Sequence, residues 1–336
     1  DLMEEAIGSH IADYLIKPVN SKQILLSVKK ILHKNRIVTE KTNSNYQQDF
    51  RKISMSFMDD MNAEEWADVY KKLVYWELKI EGTEDKSMKD VLDMQKSEAN
   101  VNFVRFINEN YAYWLNDAPA DDRPLMSHQL MKEKVFPLLV EEGEQPLFFI
   151  LLDNLRYDQW KILETIIAPY FKIKEESTYY SILPTTTAYA RNAIFSGMNP
   201  ADMAKYHADI WVDDTGENED SLNKHEGEFL ARFLKKHSKK TTFSYHKILN
   251  SNHGKNLVDN FSNLQNNDLN AVVFNFVDML SHARTDMQMI KELAPDESAY
   301  RSLTKSWLQH SSLLDFLKKI ADVKGRVVIT TDHGMI

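Results

Sequence analysis

Residues 147–163 read LFFILLDNLRYDQWKIL, and this stretch decides the fold class. Its first six residues are apolar without alternation, the pattern of a strand buried on both faces of a sheet. A helix is expected at Tyr157–Ala168, and further short apolar strands at Thr241–Tyr245, Ala271–Val277 and Arg326–Thr330. Strands separated by helices predict an α/β domain with a doubly wound, mostly parallel sheet. That domain spans 126–336, with a helix ending near Val140 ahead of the first strand and a polar surface excursion at 213–224.

Upstream, residues 37–125 are polar and helical with no strand pattern. Trp66, Val69, Leu73, Trp76 and Ile80 mark one apolar stripe, and Val101, Val104, Ile107 and Tyr111 a second, as in a small helical bundle or spacer. The stretch PADDRP at 119–124 punctuates its end. Residues 1–36 read as a helix end, a short strand at Ala12–Ile16, the pair Lys17-Pro18, and an amphipathic helix with Ile24, Leu25, Val28, Ile31 and Leu32 on one face. The abrupt start and finish read as a window on a longer protein.

The whole composition fits this division. A length of 336 residues suits two or three domains, and 43% hydrophobic with 27% charged residues supplies ample core for a soluble chain. With 9 Gly and 9 Pro, long helices should outnumber tight turns. A net charge of -9 argues against broad nucleic-acid binding, although a nucleotide held at a local metal site remains open. The absence of cysteine excludes disulfides, zinc fingers, iron–sulfur clusters and a thiol nucleophile, and fits a cytoplasmic location. No apolar run is long enough to span a membrane, and the acidic first residues resemble no signal peptide.

Candidate functional residues stand at strand ends, where α/β enzymes place their chemistry. Asp153 follows FFILL, Asp278 and His282 follow VVFNFV, and Asp332 and His333 follow VVITT. One such Asp alone reads as a helix cap or a loop residue, and His282 alone as an exposed or capping histidine. Three apolar strands that each end in Asp, two with a nearby His, point further, because buried carboxylates are costly unless paired or metal-bound. Asp278 and His282 are four apart and share one face of a helical turn. Asp332 and His333 can serve one metal in a turn that Gly334 makes tight. Carboxylate with imidazole suits zinc or manganese, and two clusters suggest a two-metal site. Thr187 lies in PTTTAYARNAIFSG (184–197), a loop entering a helix. Its hydroxyl becomes nucleophilic when a metal lowers its pKa, and free N–H groups at a helix start can hold an anion. An N-cap role for this Thr is compatible with catalysis.

The order Asp153, Thr187, Asp278-x-x-x-His282, Asp332-His333 resembles the alkaline phosphatase superfamily, most closely its PglZ domain. The resemblance implies that Asp153, Thr187, Asp332 and His333 hold one metal ion and that Asp278 and His282 hold another. Two Zn2+ per chain are then expected, with Mn2+ as the alternative. A final His normally completes the second site and should come after Ile336. Thr185, Thr186 and Thr187 are consecutive, and the family's spacings choose among them. Sulfatases of the superfamily place the nucleophile four residues before an Arg, and phosphodiesterases place it ten before a Gly. Thr187 stands four before Arg191 and ten before Gly197. Arg191 is then a candidate anion contact, with a structural salt bridge as the alternative. Sulfatase chemistry is disfavoured, since Thr cannot become formylglycine.

Residues 11–32, IADYLIKPVNSKQILLSVKKIL, resemble the last strand, Lys-Pro and closing helix of a response-regulator receiver domain. Lys17 would contact the phosphoryl group on an Asp outside this sequence, and Pro18 would follow a cis peptide bond. Receiver, helical spacer and PglZ domain in this order resemble the PorX-like response regulators associated with type IX secretion. The resemblance implies a cognate sensor histidine kinase, homodimerisation on phosphorylation, and a zinc-dependent phosphodiesterase acting on nucleotide-type diesters such as oligonucleotides or cyclic nucleotides. Two alternatives stand beside it. One is a signalling adaptor that binds a sigma factor or a secretion-motor component around a structural metal site. The other is a phosphomutase or phosphomonoesterase of the same superfamily.

Overall fold

A computed structural model of the chain describes residues 15, 17, 19, 21–82, 86–116, 118–119, 122–140, 145–212, 223–237 and 240–334, without the side chains of 30–39 and 140. The strand expected at Ala12–Ile16, the Lys17-Pro18 peptide bond and residues 213–222 of the polar excursion lie outside this description; Lys17 itself is exposed. The chain forms two compact units, residues 1–117 and 118–336.

In the first unit a helix of 36 residues, Ser21–Ser56, runs without a break through residue 36, where the composition suggested a boundary. Helices Ala63–Glu81 and Lys86–Asn116 share with it a core of Tyr46, Ile53, Trp66, Leu73, Trp76 and Leu92. Asn62 starts the middle helix as a capping box: its side chain accepts from Glu64 N and Glu65 N, and Glu65 accepts from Asn62 N at 2.8 Å. The stripe Trp66, Val69, Leu73, Trp76, Ile80 is buried as its spacing predicts. The second stripe is corrected, since Val101 is 64% and Val104 57% exposed. The helix instead buries Met88, Leu92, Gln95 and Ala99 and packs Phe103 and Phe106 on the core. Gln95 hides this phase in the sequence. It is buried because Tyr46 Oη donates to its Oε1 and its Nε2 donates to Phe50 O and Ser54 Oγ, both at 3.0 Å.

The second unit is built on a four-stranded parallel sheet in the order β2-β3-β1-β4, with β1 Leu147–Leu152, β2 Phe243–Ile248, β3 Leu269–Phe274 and β4 Arg326–Thr330. Side chains of β1 alternate between two helical layers. Phe148, Ile150 and Leu152 join a core with Leu163, Leu257, Phe261, Leu317 and Ile320 from the helices on one face. Phe149 meets Phe195 edge-on across the other face. Helices on both faces explain why β1 and β3 are buried along their whole length.

Two strands, β2 and β3, have ends that differ from expectation. β2 begins later than Thr241 because Thr242 is engaged by Asp268, whose Oδ2 accepts from Thr242 N at 2.7 Å; the strand then runs on to Ile248. β3 ends at Phe274, because Asn275 turns the backbone (φ -90°, ψ 5°) and Phe276 opens the helix Phe276–Asp286. The register pairs Leu152 with Phe274 and Leu151 with Thr330, so Asp153, Asn275 and Thr331 leave the sheet at one edge. Among the described residues no helix is long and apolar enough to cross a membrane.

Candidate metal centre and catalytic site

Three strand ends deliver the site. Asp153 follows β1 directly and its N–H donates to Phe274 O at 3.0 Å, which fixes its height above the sheet. Asn154 then turns the chain in the left-handed region (φ 61°), a conformation that Asn tolerates better than most residues. The turn lets Asn154 N donate to Asp332 Oδ1 at 3.3 Å and Asn154 Nδ2 donate to Asp278 Oδ1 at 3.2 Å. Thr331 continues the stitching, accepting from Leu155 N and donating to His333 O. Tyr179 Oη donates to Thr331 O, and Ser181 Oγ donates to Asp332 O at 2.9 Å, so the β4 end is held from outside as well.

Thr187 is the first residue of the helix Thr187–Ser196, with Thr186 at the cap position. Its Oγ1 lies 2.8 Å from His333 Nε2 and 3.4 Å from Asp153 Oδ1. Asp153, Asp332 and His333 bring ligand atoms within 4.8 Å of one another. The Asp153 and Asp332 side chains are 1% and 0% exposed, and His333 10%. Burial, then the charge of Asp332, pushes the Asp153 carboxyl above its usual range, against the opposing charges of Arg191 and His333. Asp332 Oδ2 is buried and takes no hydrogen bond from the described residues.

Asp278 and His282 stand on one face of the helix Phe276–Asp286, with His282 Nε2 3.5 Å from Asp278 Oδ2. They form a separate, more open pair: Asp278 is 20% exposed and His282 74%. Burial, then Asp153, raises the Asp278 carboxyl as well. Arg191 lies beneath the carboxylates rather than on an open face. It is 1% exposed, its Nη1 donates to Asp153 Oδ2 at 2.9 Å, and its Nε lies 2.7 Å from Glu226 Oε1. Burial alone would disfavour its charge, but Glu226, Asp153 and Asp332 together keep it a cation. Arg191 is thus placed in ion pairs with Asp153 and Glu226.

The donor set fits a divalent cation. The carboxylates of Asp153, Asp332, Asp278 and Glu226 outnumber the permanent cations Arg191 and Lys247 beside them. An oxygen without a donor, a second buried carboxylate and an imidazole within reach of one point make a ligand mix that zinc or manganese accepts.

Against known protein families, residues 130–336 match the BREX system PglZ alkaline phosphatase-like domain. The chain belongs to the PglZ family. Its PglZ domain therefore places a hydrolase of the phosphatase superfamily, a group that typically binds divalent metals, on the sheet just described. Residues 36–115 match the PorX response regulator linker domain, so the chain combines a PorX-like regulator linker with a PglZ effector. None of the curated proteins matches the chain.

Asn154 and Glu226 were not among the residues that the sequence singled out. Asn154 carried one weak signal, an Asp-Asn pair directly after a buried strand. Glu226 carried none: it opens the helix Glu226–His237 like any first-turn acid, and its partners come from elsewhere in the chain.

Proposed function

We propose that the chain is part of a PorX-like response regulator whose PglZ domain is a two-zinc phosphodiesterase acting on nucleotide-type diesters, oligonucleotide or cyclic, in the control of type IX secretion. The observation that carries this reading is Thr187 Oγ1 at a helix start, 2.8 Å from His333 Nε2 and 3.4 Å from Asp153 Oδ1, beside a buried Asp–Asp–His donor set. On this reading Asp153, Thr187, Asp332 and His333 would hold one ion and Asp278 and His282 the other. The ions would supply Lewis acidity, lowering the pKa of the hydroxyl they hold and offsetting phosphoryl charge.

The chain's own residues do the rest. Thr187 presents Oγ1 to the phosphorus atom as an alkoxide whose proton passes to solvent, since Asp153 and His333 beside it would be engaged as metal ligands. A bond forms from Oγ1 to phosphorus while the bond to the leaving alkoxide breaks, and water later releases the phosphoryl group from Thr187. Free N–H groups at the start of the helix Thr187–Ser196 face the incoming anion. Arg191 donates to Asp153 Oδ2 from beneath, and Asn154 ties Asp332 to Asp278 so that both metal positions keep a fixed spacing.

On this reading residues 1–36 are the end of a receiver domain, 37–125 its helical spacer and 126–336 the effector. Lys17 would sense phosphorylation by a sensor histidine kinase, and a sigma factor and a secretion-motor component are the expected protein partners in the cytoplasm. The direct test is zinc-dependent hydrolysis of a chromogenic diester beside its monoester, with Thr187→Ala as the control. Diester cleavage that requires zinc and Thr187 supports the reading; full activity in Thr187→Ala contradicts it.

A further inference from the structure

We infer that Glu226 is a positioning residue that keeps Arg191 away from Asp332, leaving the Asp153, Asp332 and His333 donors able to hold a divalent cation. The inference rests on the metal-dependent reading above. Arg191 has carboxylates on several sides: Nη1 is 2.9 Å from Asp153 Oδ2, while Nε is 2.7 Å from Glu226 Oε1 and 3.7 Å from Asp332 Oδ2. Among the described residues Asp332 Oδ2 takes no hydrogen bond, and the Nε–Glu226 Oε1 contact is an ion pair without hydrogen-bond alignment. If Glu226 lost its charge, Asp332 Oδ2, 3.7 Å away, would be a remaining carboxylate within reach of Nε. Closing that gap would tie a metal donor atom to the guanidinium.

Glu226 is built to hold its place. Its side chain is 1% exposed, Tyr245 Oη donates to its Oε2, and Lys247 Nζ lies 3.3 Å from the same oxygen. Lys247 also donates to Asn223 O at 3.0 Å, which ties the edge strand β2 to the segment leading into the helix Glu226–His237. Gly227 permits the close approach: a Cβ there would lie 3.0 Å from the Tyr245 ring. The edge strand thus reaches the metal ligands through Glu226 and Arg191.

The test is zinc affinity of the full-length protein, by competition with a chromogenic chelator, with folding followed by circular dichroism. Glu226→Gln should bind zinc at least about tenfold more weakly than wild type, the usual size of such outer-shell effects. Adding Arg191→Gln to Glu226→Gln should recover affinity, because the competing guanidinium is gone. Wild-type affinity in Glu226→Gln overturns the inference, as does a double variant as weak as the single one. Where Glu226→Gln does not fold, the double variant should match Arg191→Gln alone, and a further loss overturns the inference. A wild-type protein that binds no zinc overturns the metal-dependent reading itself, an outcome distinct from a failure of Glu226 alone.

Discussion

A buried carboxylate oxygen that takes no hydrogen bond is expensive, and Asp332 Oδ2 is one, beside Asp153 and His333. Contrast Asp158, also buried but fully engaged. Arg156 grips it with two hydrogen bonds, 2.9 and 2.7 Å, and Arg301 Nη1 adds a third at 2.7 Å. Burial alone would raise the Asp158 carboxyl, but Arg156 and then Arg301 hold it below its usual value. Its contribution to stability is therefore present above the ordinary value of 3.8 and lost as pH falls through the depressed folded value. Asp158→Asn should cost roughly 3–5 kcal/mol in urea unfolding at neutral pH, because it takes a carboxylate from between two largely buried arginines. The difference from wild type should shrink in acid. An unchanged midpoint at neutral pH would contradict the account. At this scale the sequence was informative where an apolar strand ends on a polar residue: Asp153, Asp332 and His333 stand out against their neighbours. Asp158, Asn154 and Glu226 do not, because Arg301, Asp332 and Arg191, which meet them, lie far away along the chain, and the nearby Arg156 alone does not mark Asp158.

Elements set the aim of these side chains. The helix Thr187–Ser196 carries both Thr187 and Arg191, and it ends on Gly197 in the left-handed conformation, φ 65°. A Cβ at Gly197 would lie 2.6 Å from the Phe233 ring. Gly197→Ala should therefore destabilise the second unit by at least about 1 kcal/mol from the backbone alone, with the Phe233 clash added. Thermal unfolding checks this, and a variant as stable as wild type would contradict it. The parallel sheet was legible because β1 and β3 are unbroken apolar runs, the mark of strands covered on both faces. The ends of β2 and β3 were not, since Thr242–Asp268 bonding and the Asn275 turn decide them and neither leaves a periodic signal. Likewise the phase of the helix Lys86–Asn116 depends on Gln95, a polar residue that is buried only because Tyr46, Phe50 and Ser54 meet it.

At the scale of the whole molecule, a PorX-type linker joined to a PglZ effector is an arrangement for regulation. If the receiver reading holds, phosphorylating the full-length protein with a small-molecule phosphodonor should convert monomer to dimer in sedimentation velocity. Unchanged sedimentation would count against dimerisation as the switch. Whether the effector is a catalyst turns on Thr187, and one assay addresses it: hydrolysis of a chromogenic phosphodiester by the full-length protein with and without zinc, in wild type and Thr187→Ala. The account predicts zinc-dependent cleavage, preferring the diester over the monoester, that falls at least about a thousandfold in Thr187→Ala while zinc binding is partly kept. Turnover that survives in Thr187→Ala would contradict it, and no turnover by a zinc-loaded wild type would leave the protein a signalling adaptor.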